Sequence, residues 1–282
     1  MTSSNRSTRN SSKTIPLIAI NSLIFDTSGS TESMGDAPIE QLHELMTKLK
    51  EDAIKNNSNI HVSLHTFNTT IRQVIPSDLS LLSVDMREFE VPSLHEFREI
   101  LRPGGMTALY DAGIIGFNHI EKIYNKEFSK LPKNVQKLNP YISKCYVLST
   151  DGLDNQSKHS ISDFKKATLK AKKNDVQPLF LFANIDSEMG QQMGFKKTNT
   201  AKFNPTYSGV TNMLRATTQA LRQVSSGQTQ TINSQQLTQD ISPVTTPISS
   251  PRNISSPPPL LRTYAQDYIR SIDLSPPILR RY

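Results

Sequence analysis

The chain has 282 residues, 32 Lys and Arg against 25 Asp and Glu, a net charge of +7 and one cysteine. That length holds one sizeable domain with tails, and a single cysteine excludes an intramolecular disulfide and favours a reducing, cytoplasmic setting. The charge is uneven: Arg6, Arg9 and Lys13 supply +3, residues 225–282 supply +2, and residues 15–224 hold the remaining +2. A basic nucleic-acid face on the central part is therefore not required.

Residues 1–13 are rich in Ser, Thr and Asn and read as a disordered basic arm. The apolar stretch Ile15–Ile20 behind it has the outline of a secretion signal. It is too short to span a bilayer, and cleavage there would remove the first strand, so no targeting role and no transmembrane helix is expected. Leu17 to Phe25 is mostly apolar, as a buried parallel strand should be. Pro38 to Asn56 places Ile39, Leu42, Leu45, Met46, Leu49 and Ala53 at helical spacing, with the proline in the first turn.

Ile60–Phe67 alternates with period two, and Asn68 and Thr69 turn it into Ile71–Ile75, giving a hairpin at the sheet edge. Residues 78–103 carry no clear period apart from a short helix around Ser93–Leu101, before the break Pro103-Gly104-Gly105. Ala108–Phe128 reads as a helix, Ile142–Ser149 as a strand with Cys145 buried in it, and Ile161–Lys173 as a helix. Gln177–Ala183 reads as a strand and Ser208–Val224 as a helix. Beyond it, eight of the seventeen prolines fall in residues 225–282, and residues 227–282 read as a low-complexity tail. Its five Ser/Thr-Pro steps are candidates for proline-directed phosphorylation, and Leu260–Ile269 is its one apolar island.

Alternating strands and helices imply a doubly wound α/β domain over residues 14–226, a mostly parallel sheet with helices on both faces. In such sheets ligands bind at the carboxyl ends of the strands. Three oxygen-rich segments lie at such positions. Asp26-Thr27-Ser28-Gly29-Ser30 ends the first strand, Thr107 opens a helix, and Asp151-Gly152 follows a second apolar strand. They contribute two carboxylates and three hydroxyls, without His or Cys, a ligand set for a hard cation such as Mg²⁺. Singly, each segment is equally well a turn or a helix cap. Asp111 and Asp154 sit close to the motif, either as helix-start and turn residues or as groups steadying the ligands. The six His show no zinc-like cluster, and His61 and His65 read as a solvated or hairpin face.

In order and spacing these segments resemble the metal-ion-dependent adhesion site of the von Willebrand factor A domain, over residues 15–225. The resemblance implies a Rossmann-like fold and a cation held by Asp26, Ser28, Ser30, Thr107 and Asp151. The stretches Gly105–Ala112, Thr150–Asn155 and Phe182–Asp186 with Gly194-Phe195 are similar to those of a soluble, intracellular subgroup. One departure is the longer loop in which Thr31-Glu32-Ser33 precedes Met34-Gly35, offering Glu32 and Ser33 as rival donors.

The resemblance implies a divalent-cation-dependent protein-binding module in which Mg²⁺, or else Mn²⁺ or Ca²⁺, bridges to an Asp or Glu of a partner. Nucleic-acid binding is a weaker alternative, since the chain has no Trp and 7% aromatic residues for base stacking. A role as a subunit beside an ATPase is another. A metal-dependent hydrolase is the least favoured: no Ser-His-Asp order, phosphate-cradling Gly-Lys loop or surplus His accompanies the motifs, so no enzymatic activity is expected.

Overall fold

The computed structural model describes residues 18–138 and 140–227. The expectations for the N-terminal arm and for the tail beyond Gly227 lie outside them. Strand β1 (Ile18–Asp26) is buried along nearly its whole length, as its apolar run requires. A 3₁₀ turn over Gly29–Met34 leads into α1 (Ala37–Lys55), whose first turn contains Pro38. Strands β2 (Ile60–Phe67) and β3 (Ile71–Ile75) form the expected hairpin.

The two-residue β4 (Val84–Asp85) follows. Helix α2 (Leu94–Ile100) starts at a capping box in which Ser93 and Glu96 satisfy each other's backbone donors. Then come α3 (Leu109–Lys130), the short α4 (Lys133–Lys137) and β5 (Ile142–Thr150). Helix α5 (Ile161–Lys173) opens on a second capping box, Ser160 with Asp163. The chain continues through β6 (Val176–Phe182), α6 (Ser187–Gln192), β7 (Thr200–Lys202) and α7 (Tyr207–Ser225).

The strands order as β3-β2-β1-β5-β6-β7, with β4 beside β3 on the same neighbour, β2. The five strands from β2 to β7 along that order run parallel, while β3 and β4 pair antiparallel with β2. One face buries Leu23, Val147 and Leu181 under α1, α2 and α7. The other buries Ile20, Tyr146 and Phe180 under α3 and α5. Cys145 is fully buried in β5.

Helix α3 lies close to the sheet because Gly116 faces it, while Gly113 faces Phe164 of α5. A Cβ at Gly116 would meet Ile24 Cδ1 at 2.7 Å and Tyr146 Cε2 at 2.8 Å. This close approach corrects the expectation for the β2 histidines. His61 and His65 are 7% and 4% exposed, not solvated. Alternation leaves a strand half-exposed only when its second face is open, and here α3 closes it. His65 meets the His119 ring of α3 edge-on at 4.5 Å between centroids. His61 Nε2 lies 3.6 Å from Glu127 Oε2, also on α3.

Candidate metal centre

The sheet register brings the two acidic segments together. Phe25 of β1 lies opposite Ser149 of β5, so Asp26 and Thr150 end their strands side by side. The Thr150 hydroxyl donates to Asp26 Oδ2 at 2.6 Å. Asp26 Oδ1 accepts from the backbone N–H of Ser28 at 2.7 Å, which folds the chain sharply after the strand. That turn sets the Ser28 and Ser30 hydroxyls 3.1 Å apart. Ser30 then donates to Asp151 Oδ1 at 2.7 Å across the sheet end.

Thr107 arrives from a third direction. Its loop is anchored by Gly104 N–H to the Thr27 carbonyl at 2.9 Å and by Gly29 N–H to the Gly105 carbonyl at 3.2 Å. Gly105 has φ +77°, and a Cβ there would come within 2.6 Å of Thr69 Oγ1, so the turn requires glycine. Thr107 also exchanges two hydrogen bonds with Asn155: N–H to Asn155 Oδ1 at 2.8 Å, and carbonyl from Asn155 N–H at 3.0 Å. Gly152 faces the space between the hydroxyls; a Cβ there would be 3.8 Å from both Ser30 Oγ and Thr107 Oγ1. Asp26, Ser28, Ser30, Thr107 and Asp151 therefore surround one small region at the carboxyl end of the sheet.

The electrostatics are those of an anionic site without a built-in counter-charge. Burial pushes Asp26 up to about 6, against the pull of hydrogen bonds from Thr150 and Ser28. Burial also raises Asp151, opposed by the Ser30 hydroxyl. Among the described residues no salt bridge involves either acid. Asp151 Oδ2 is buried without a hydrogen-bond partner. An orphaned carboxylate oxygen beside three hydroxyls fits a hard cation, which would satisfy it. Among the described residues no group of three or more His, Cys, Asp or Glu is arranged to hold a metal, so the donor set rests on hydroxyls.

The rival donors of the longer loop lie elsewhere. Ser33 donates to the Ser30 carbonyl at 3.1 Å and closes the 3₁₀ turn, while Glu32 is exposed. Asp111 and Asp154 brace the loop rather than touch the five side chains. Asp154 Oδ1 accepts from Ser157 Oγ and, at 3.3 Å, from Tyr110 N–H. Burial would raise Asp111, yet the Lys158 and His159 N–H groups hold it below the usual carboxylate range. Two contributors escaped the sequence reading of the site, Thr150 and Asn155. The only signal for them was their place in Thr150–Asn155, where Thr and Asn favour side-chain-to-backbone turns.

The sheet order and the two helical layers define an open, doubly wound α/β domain. Among solved structures, the pilus adhesin SpaC from Lactobacillus rhamnosus GG, in an open conformation, is similar at 12% identity and a TM-score of 0.51. That match covers 74% of this chain and 30% of SpaC. The PilB minor pilin from Streptococcus sanguinis is similar at 14% identity and a TM-score of 0.50, over 74% of this chain and 62% of PilB. A von Willebrand factor type A protein from Catenulispora acidiphila gives 14% identity and a TM-score of 0.48, over 73% of this chain and 43% of that one. This chain thus spans less than two thirds of each. No protein-family model and no curated protein matches the sequence. Among the described residues no helix is long and apolar enough to cross a membrane.

Proposed function

We propose that the centre binds a divalent cation, Mg²⁺ foremost, through Asp26, Ser28, Ser30, Thr107 and Asp151, and that the domain is a protein-interaction module recognising an acidic residue of its partner. The observation that carries this reading is the orphaned Oδ2 of Asp151, whose other oxygen accepts from the Ser30 hydroxyl. Two carboxylates and three neutral hydroxyls would give five donors to an ion that takes about six, so it would keep an open position that an outside Asp or Glu completes. Within the chain, Thr150 orients Asp26, Asn155 orients the Thr107 loop, and the Ser28–Ser30 turn delivers two hydroxyls.

Binding is favoured over catalysis because none of the five side chains is hydrogen-bonded to an imidazole; His159, the nearest in the bracing loop, is engaged with Asp111 at 2.8 Å. The fold likeness to a pilus adhesin supports a module of this class and names no partner for this chain.

The test is a thermal-shift titration of the full chain with MgCl₂, MnCl₂, CaCl₂ and EDTA, for wild type and Asp151→Ala. A native-state ligand at about 100 times its Kd adds about 2.7 kcal/mol, or about 5–10 °C for a domain of this size. The expected result is a saturable rise in wild type, absent in the variant. Fluorescence anisotropy of oligo-Asp and oligo-Glu peptides then shows binding in Mg²⁺ and none in EDTA. No ion response in either chain overturns the reading.

A further inference from the structure

Strand β5 carries a lysine where its neighbours demand a hydrocarbon. Ile142, Tyr146 and Leu148 share one face of the strand and are buried under α3 and α5. Lys144 stands in the same row, opposite Ile20 of β1 and Val176 of β6, and is 8% exposed. Its Nζ sits 4.2 Å from the centroid of the Tyr124 ring. It makes no hydrogen bond or ion pair among the described residues.

The nearest carboxylates are engaged elsewhere or stand in solvent. Glu121 takes Lys170 at 3.1 Å and Asn174 at 3.5 Å, and Asp175 is exposed. Burial lowers the Lys144 pKa, and Asp175 and Glu121 offset this only in part. The stem is buried while the ammonium reaches the solvent at the cavity, and Met would fill the same row without an ammonium over the ring.

The ammonium is aimed into a cavity of about 430 Å³ between α3 and α5. Lys170 and Lys173 line its α5 side, Asn118, Glu121 and Asn125 its α3 side, and Asp175 also borders it. It lies at the opposite end of β5 from Asp151. We propose that this cavity is a second binding site, for a small organic anion bearing hydroxyl groups, with Lys144 as the residue that takes the anionic head. The anion would replace water as the acceptor of the ammonium. Lys173 adds positive potential at the mouth, where Lys170 is paired with Glu121, and the two asparagine amides face the hydroxyls. The volume suits a sugar phosphate or sugar acid and lies within the usual range for small-ligand pockets.

The experiment uses the full chain with glucose 6-phosphate and gluconate as probes and sodium chloride at matched ionic strength as control. Two quantities are read: the shift in Tm, and the rate at which limiting acetic anhydride labels Lys144, followed by peptide mass spectrometry. At ten times its Kd a ligand that covers the amine slows labelling about tenfold by mass action. The expected result is a saturable rise in Tm with protection of Lys144, lost in Lys144→Met, which is itself at least as stable as the unliganded wild type. A response to one probe alone assigns the head group as phosphate or carboxylate. Equal Tm responses in wild type and Lys144→Met, or unchanged labelling at saturating probe, overturn the proposal. A Lys144→Met chain that is less stable, or fails to fold, marks the lysine as structural; protection in the wild type then decides against or for a ligand on its own.

Discussion

His65 offers a direct measure of how completely α3 seals the sheet. Its ring is 4% exposed, its Nδ1 is buried without a hydrogen-bond partner, and the neighbouring ring is His119. Burial, with a smaller contribution from His119, lowers its pKa to about 4. In an unfolded chain the value is about 6.5. The fold therefore prefers the neutral ring: this contribution is complete above about pH 6.5 and is lost progressively as pH falls towards 4. A gap of about 2.5 units at 1.36 kcal/mol each amounts to about 3 kcal/mol. His65→Leu removes the titration while keeping an apolar side chain under α3.

The assay is urea unfolding of both chains between about pH 7.5 and pH 4.5, with ΔG compared at each pH. His61, lowered by burial, and Asp26, which is raised, titrate in both chains and cancel in the difference, whereas His119 touches His65 and its coupling to that ring is part of what the difference reads. The wild type should lose about 2.5 kcal/mol more than the variant over that range, with the remainder lost below it. Two parallel stability curves would refute the reasoning, since they would mean that His65 charges freely in the folded chain.

Three further outcomes follow from the same geometry. Gly152→Ala should fold, because its methyl finds ordinary contact at 3.8 Å, yet that methyl reaches both Ser30 and Thr107 hydroxyls. Calorimetry should show Mg²⁺ binding weakened about tenfold or more, about 1.4 kcal/mol, with Tm in EDTA little changed. Gly113→Ala should cost about 1–3 kcal/mol in urea unfolding, because the added Cβ would fall 1.9 Å from Phe164 Cε2 inside the α3–α5 core.

Asp26, raised from 3.8 to about 6, destabilises the cation-free chain as it ionises between those values; stability from this group falls as pH rises. Protons and Mg²⁺ therefore compete for it. Affinity measured by calorimetry should rise about tenfold per pH unit below about 6 and level off above. Affinity that stays flat from about pH 5 to 7 would show that Asp26 is already ionised.

The α/β architecture was legible because long elements repeat their chemistry. The apolar runs of β1 and β5 and the heptad-like spacing in α1 each carry several residues of agreement. Asp26, Ser28, Ser30 and Asp151 were readable as a group because strand carboxyl ends share an edge, and β1 and β5 are neighbours. Short elements were not readable: β4 has two residues and β7 three, too few to show a period. The burial of His61 and His65 failed for a different reason. A strand's own alternation says which residues share a face, but the cover over that face comes from α3, and its approach depends on Gly116. Thr150 was missed because its role exists only across the sheet, in a hydrogen bond to a residue 124 positions away.

That separation has a consequence for the order of events in folding. Ser30 and Asp151 are 121 positions apart, and no contiguous segment contains more than three of the five candidate ligands. Their oxygens converge only after β1 has paired with β5 and the Thr107 loop has closed over both. A cation held there is a late arrival that recognises the finished sheet and not a nucleus for its assembly. It should leave the refolding rate unchanged and slow unfolding, lengthening the lifetime of the native domain without hastening its birth.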